Sequence, residues 1–216
     1  MLKNIQKRIY TSIVLFLLLF LMIADNHAMV FFLMIIGIFS VLEFFKIILK
    51  IYKKNKIKQF FYNIFFIIYI FSFCSILIIF SSFFYLKILF FLILLTCIGS
   101  DIGGFTIGNI FKGPKLTKLS PKKTISGSLG SVIFSIIFLS ILIYLLTKNF
   151  DPYILVVGII TSIACQLGDL FFSFLKRKSL LKDTGNFLPG HGGILDRIDG
   201  ILLGMPVGFL SLLLIY

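Results

Sequence analysis

Charge is scarce in this sequence. Only 13% of the 216 residues are Asp, Glu, Lys or Arg, against 59% hydrophobic, which excludes an ordinary soluble domain. Tryptophan is absent, so any belt at a membrane–water boundary must be built from Tyr and Phe. The three cysteines, Cys74, Cys97 and Cys165, all fall in apolar runs and lack metal-site spacing; they read as reduced packing residues. No small-residue cleavage site follows the basic start (Lys3, Lys7, Arg8) and the apolar run from Ile13 to Met22. That segment therefore reads as an uncleaved first transmembrane helix rather than a removed signal. No internal repeat is strong enough to suggest the inverted halves of a transporter.

What is present is a series of apolar runs of about twenty residues, the length that carries a helix across a bilayer. Their spacing predicts an all-α, polytopic membrane protein with about seven spans: 9–24, 28–49, 60–81, 85–110, 127–147, 153–175 and 198–216. Glycine weakens a helix interior, so the pair Gly103-Gly104 is where the long fourth span is expected to break. Residues 1–84 read as an N-terminal group of three spans, and residues 85–216 as a second membrane domain of four spans with loops 111–126 and 176–197. Alternate loops divide the cations unequally. The N-terminus and loops 50–59, 111–126 and 176–197, with adjoining helix ends, hold all but Lys87 and Lys148 of the 21 Lys and Arg residues. Positive charge concentrates on the cytoplasmic side, so the N-terminus is expected inside and the C-terminus outside. The net charge of +13 then faces the cytoplasm, where it attracts anionic lipids and nucleotides.

The densest polar stretch is Ser173 to Asp199, SFLKRKSLLKDTGNFLPGHGGILDRID. Lys176, Arg177, Lys178, Lys182 and Arg197 supply cations; Asp183, Asp196 and Asp199 supply carboxylates; Pro189, Gly190, Gly192 and Gly193 surround His191. Donors and exposed backbone N–H groups of this kind hold an anion, and the carboxylates suit a hard divalent cation. A solvated basic loop at a membrane surface would account for the lysines, but not for three aspartates and a PGHGG turn. Two more acids lie inside apolar runs: Asp101 in GSDIGG and Asp169 in QLGDL. A carboxylate at the bilayer centre costs about 2.5–3.5 kcal/mol, so each is expected to face a polar cavity or a metal. Asp169 precedes Lys176 by two helical turns, on one face and roughly 10 Å away. Glu43, close to Lys46 on the second span, reads as a local pair near the interface.

The stretch resembles the signature of the phosphatidate cytidylyltransferases (CDP-diacylglycerol synthases). The resemblance rests on Ser173, Lys176-Arg177, Lys182-Asp183, Gly185, Pro189, His191-Gly192-Gly193 and Asp196-Arg197-x-Asp199. SPKKT, Ser120 to Thr124, resembles the family's second motif, usually followed by an aromatic residue and Glu-Gly; here Ser126 stands where the Glu is expected. Phe172 likewise stands where the family usually has an acid after Gly-Asp-Leu.

The resemblance implies CTP and phosphatidic acid as substrates, with CDP-diacylglycerol and pyrophosphate as products. It implies Mg²⁺, with room for a second cation, on Asp169, Asp196, Asp199 and Asp101. Substrate contacts are expected at Ser120, Lys122, Lys123, Thr124, Ser173, Gly190, Gly192 and Gly193. Catalytic roles are expected for Lys176, Arg177, Lys182, Asp183, His191 and Arg197. The lipid phosphate is already ionised at neutral pH, so His191 can serve as a phosphate or turn contact rather than as a base. A multi-pass protein of the bacterial inner membrane is implied, with a cytoplasmic active site, a homodimeric assembly and no nucleic-acid partner. Three alternatives remain at this level: a cytidylyltransferase for another lipid phosphate, an inactive relative, and an ion or solute transporter using Asp101 and Asp169.

Overall fold

The computed structural model describes residues 2–117, 119–120, 123–185, 187–188 and 192–215, with side chains from residue 10 onward. The described residues form α1 (Leu2–Ala24), α2 (Asn26–Ile51), α3 (Lys56–Ser81), α4 (Phe84–Phe111), α5 (Ile125–Thr147), α6 (Tyr153–Lys178) and α7 (Leu195–Ile215). Each expected span has its helix. Among the described residues, α2 to α7 are each long and apolar enough to cross a membrane; the described apolar stretch of α1, Tyr10–Ala24, is shorter. There is no strand among them, only the isolated bridges Lys115–Thr124 and Leu188–Gly192. Large apolar side chains such as Phe31, Phe65, Phe71, Ile133 and Leu214 stay exposed, as they must where the solvent is hydrocarbon.

The helices start where side-chain caps allow. Asp25 accepts from the Ala28 N–H at 3.0 Å, which also holds its carboxyl below the usual carboxylate range. Asn55 accepts from Lys58 N–H at 3.0 Å, and Thr124 from Gly127 N–H at 3.1 Å. Lys148, at φ 58°, closes α5 in the left-handed conformation.

The chain packs as two compact units, Met1–Lys87 with Leu175–Ile198, and Ile88–Phe174 with Asp199–Tyr216. In the first, Phe44 of α2 stacks on Phe66 of α3 with ring centroids 3.9 Å apart, among buried Leu33, Ile47, Ile48 and Ile70. In the second, Ile93, Cys97, Leu139, Val157, Cys165 and Leu202 are almost fully buried.

The expected break at Gly103-Gly104 does not occur: α4 runs unbroken from Phe84 to Phe111. These glycines serve a close helix crossing instead. A Cβ at Gly103 would strike the Gly130 carbonyl and Phe134, and one at Gly104 would strike Ser131 Oγ. Reciprocally, a Cβ at Gly127 or Gly130 would strike the backbone of Gly104 or Gly103. In an apolar medium such small-residue seams are how helices gain contact, because van der Waals packing must replace the hydrophobic effect.

Candidate active site

The α4–α5 crossing shapes a cavity in the second unit. Beyond α4 the chain turns through Lys112 (φ 52°) and Gly113 (φ 100°). It then doubles back: Leu116 N–H donates to Lys123 O at 2.8 Å, and Ile125 N–H to Pro114 O at 3.0 Å. The return delivers Lys123 and Thr124 to the amino end of α5. The resulting cavity, about 280 Å³, is lined by Asp101, Phe105, Lys123, Thr124, Gly127, Ser128, Ser131, Gln166 and Asp169, with Gly104 and Leu116. Lys123 Nζ forms an ion pair with Asp169 Oδ2, each side chain 28% exposed. Ser126, in the place of the expected Glu, donates its hydroxyl to the Lys112 carbonyl and so ties the first turn of α5 to the end of α4. Below the cavity a polar seam continues between helices. Ser128 Oγ donates to Gln166 Oε1, Gln166 Nε2 donates to Ser162 Oγ at 3.2 Å, and Ser162 meets Ser100 at 2.9 Å.

The first unit holds the signature loop. Helix α6 ends beyond its cationic last turn, where Leu180 takes φ 55° and Leu181 N–H returns to Lys176 O at 2.9 Å. Lys176 Nζ donates to Asp196 Oδ1 at 2.7 Å, with side-chain exposures of 14% and 7%. Asp196 Oδ2 accepts from Thr184 N–H at 2.8 Å and Gly193 N–H at 3.0 Å, with Thr184 Oγ1 also 3.0 Å away. Glu43, expected as a local pair with Lys46 near the interface, is instead 3% exposed and accepts three bonds from this loop. These come from Thr184 Oγ1 at 2.7 Å, Ile194 N–H at 3.1 Å and Leu195 N–H at 2.9 Å. The correction has a plain cause. A carboxylate in an apolar helix must find donors, and a glycine-rich loop with spare N–H groups supplies more of them than a mobile lysine.

The structure thus distributes the expected site residues. Asp101, Asp169, Lys123 and Thr124 share the cavity, with Ser120 half-buried in the loop that leads to it. In the first unit Lys176, Asp196 and Gly193 join one network, while Arg177, Lys182, Asp183 and Arg197 are exposed. Gly192 has φ 85°, a conformation that favours glycine. Ser173 is half-buried on α6, and Asp199 is buried on α7, where its Oδ1 accepts from Gly200 N–H at 3.0 Å. Phe172, where an acid is usual, is 5% exposed. Lys122, Gly190 and His191 lie outside the described residues.

Among the described residues no three His, Cys, Asp or Glu side chains gather as a metal site. The donors nevertheless differ in their fitness for Mg²⁺. The cavity offers two carboxylates with hydroxyl and amide oxygens, the hard ligands that cation takes alongside water and phosphate. Asp196, by contrast, already has both oxygens engaged by protein donors. Sequence reading missed Thr184, Ser128, Gln166 and the role of Glu43. Only Glu43 left a signal, as a lone acid in a long apolar helix.

Comparison with known proteins gives a single family. The sequence profile described as "Cytidylyltransferase family" matches residues 2–215. The chain is similar to the phosphatidate cytidylyltransferase of Rickettsia typhi, 41% identical over 110 residues, 47% of this chain and 48% of that protein. It is similar to that of Staphylococcus haemolyticus, 42% identical over 118 residues, 54% of this chain and 45% of that protein. It is likewise similar to that of Bacillus subtilis, 41% identical over 110 residues, 50% of this chain and 40% of that protein. In these matches the chain spans about half the length of its relatives or somewhat less.

Proposed function

We infer the reaction from a chain that belongs to the cytidylyltransferase family: it moves the cytidylyl group of CTP onto phosphatidic acid, giving CDP-diacylglycerol and pyrophosphate. The observation that carries this reading is the cavity where Lys123, two carboxylates and the amino end of α5 meet. Cation, hard oxygen ligands and helix N–H groups together suit a nucleoside triphosphate accompanied by Mg²⁺. The relatives' name supplies the lipid. The family match favours this reaction over transport through Asp101 and Asp169.

In the reaction a phosphate oxygen of the lipid bonds to the α-phosphorus of CTP, and the bond from that phosphorus to the bridging oxygen of the β-phosphate breaks. Both reactants are anions, so charge compensation and alignment dominate, and no base is needed. Lys123 binds a phosphate oxygen, with Lys122 and Thr124 beside it in the sequence. Asp169 and Asp101 would hold Mg²⁺, which when bound neutralises charge on the triphosphate and the departing pyrophosphate. The Lys123–Asp169 pair keeps each group compensated until a nucleotide phosphate takes the ammonium, and the carboxylate would then be compensated by the cation. On the signature loop, Arg177, Lys182 and Arg197 offer exposed cations to phosphate, and Asp183 orients Lys182.

The charge asymmetry of the loops supports a site on the cytoplasmic side of a bacterial plasma membrane. The family resemblance supports a homodimer, which the mass of the detergent-solubilised protein would test. The reaction itself is tested with purified full-length chain, labelled CTP and phosphatidic acid in mixed micelles. Labelled CDP-diacylglycerol should form with Mg²⁺ and stop on chelation. An isoprenoid-ether phosphate accepted in preference to phosphatidic acid would shift the lipid assignment. No labelled lipid from either acceptor would overturn the reaction.

A further inference from the structure

We propose that Glu43 is a positioning residue for this reaction: from α2 it fixes the amino end of α7, and with it the placing of Asp196 and Arg197. The proposal rests on the cytidylyltransferase reading above for its kinetic arm only. Its first support is the start of α7. Helices α2, α3 and α5 are capped by Asp25, Asn55 and Thr124 from their own chain ends. Helix α7 begins at Leu195, after Gly193 and Ile194, neither of which carries a side-chain oxygen. Glu43 supplies the missing cap from another helix, taking Ile194 N–H on Oε1 and Leu195 N–H on Oε2. Its charge also sits favourably at the positive end of the helix dipole.

The second support is steric. A Cβ at Gly185 would strike the Glu43 carboxylate, and a Cβ at Gly193 would strike both Glu43 and Thr184. Neither glycine has a positive φ that would by itself call for glycine. Two glycines of the signature are therefore explained by a carboxylate far away in the chain; Ile194, next to Gly193, is 151 positions from it. The third support is connection. Thr184 Oγ1 lies within hydrogen-bond distance of Glu43 Oε2 and Asp196 Oδ2, and Asp196 in turn holds Lys176. The single hydroxyl hydrogen serves one carboxylate at a time, so the two acids are tied through Thr184. Glu43 is buried and acts through these residues rather than on substrate.

The test uses the full chain in detergent with phosphatidic acid, CTP and Mg²⁺. Glu43→Gln keeps the shape but turns an amide N–H₂ toward backbone donors. Its kcat should fall about 100-fold, the scale of an ångström-sized misplacement, while KM for CTP stays within about threefold. Gly185→Ala pushes the carboxylate aside without removing it, and should show the same kcat-specific loss even if Glu43→Gln fails to fold. A thermal cycle decides the contact independently of activity. Gly185→Ala should lower Tm by at least about 5 °C in the native background and by almost nothing beside Glu43→Ala. Unchanged kcat in Glu43→Gln or Gly185→Ala, or additive Tm losses, would overturn the role of Glu43. Wild-type protein without CDP-diacylglycerol formation would overturn the reaction instead, and the thermal cycle would still judge Glu43.

Discussion

The two polar regions of this chain use carboxylates in opposite ways. In the second unit Asp101 and Asp169 line a cavity, and Asp169 is balanced by a lysine from a loop. In the first unit Glu43 and Asp196 are covered by backbone N–H groups, a hydroxyl and the ammonium of Lys176. A carboxylate beside open volume has room for a new cation; one bonded to several backbone N–H groups of a loop holds that loop in place. Both pairs look alike as letters in a sequence. The structure separates them into acids that line a cavity and acids bonded into the loop.

Substitutions can break this contrast or sharpen it. The largest effect on turnover is expected from Asp169→Asn. It removes cavity charge without opening a packed core, so activity should fall by about 10³-fold or more. Its Tm should move by only a few degrees, read by thermal unfolding in detergent; a collapse in stability would make Asp169 structural. Asp196→Ala should show the reverse emphasis. It strands the largely buried Lys176 ammonium and frees two backbone donors, costing about 3–5 kcal/mol of stability. A fully stable Asp196→Ala protein lacking only activity would return Asp196 to the metal site. Replacing Lys122 and Lys123 together by Gln should remove the two charge-assisted phosphate contacts proposed for them, each worth roughly 1.5–3 kcal/mol. KM for CTP should rise at least tenfold, at about 1.4 kcal/mol per decade, while the response to phosphatidic acid changes little. Headgroup anchoring by these lysines would invert the two responses. The smallest effect is expected from Gly104→Ala, where the clash is with the Ser131 hydroxyl. A loss of about 1–3 kcal/mol, without a change in KM, would leave the α4–α5 seam as pure packing.

Much of the fold is legible in the sequence because its period is local. Each apolar run became a helix, with ends within a few residues of those expected except that α1 begins seven residues early, at Leu2. The Gly103-Gly104 pair misled for the same reason. Glycine's local effect is to weaken a helix, while its use here depends on Gly127 and Gly130 of another helix. The candidate site divides along that line. Asp101, Asp169 and Lys123 announced themselves by charge in an apolar or motif context, yet their meeting depends on a pairing across 46 positions. Glu43 was legible as an oddity but not as a cap, because its donors arrive from Ile194 and Leu195, 151 and 152 positions later. Thr184, Ser128 and Gln166 are ordinary polar residues whose importance is only a matter of what they touch.

The cavity around Lys123 and Asp169 is proposed to receive CTP with Mg²⁺. The most direct test of this is CTP binding to purified wild type, Lys123→Gln and Asp169→Asn, measured by equilibrium dialysis across a Mg²⁺ titration. The wild type should bind CTP in a Mg²⁺-dependent way. Lys123→Gln should bind at least about tenfold more weakly, and Asp169→Asn should lose the Mg²⁺ dependence. Equal, equally Mg²⁺-dependent binding by all three proteins would contradict it and move the nucleotide away from this cavity.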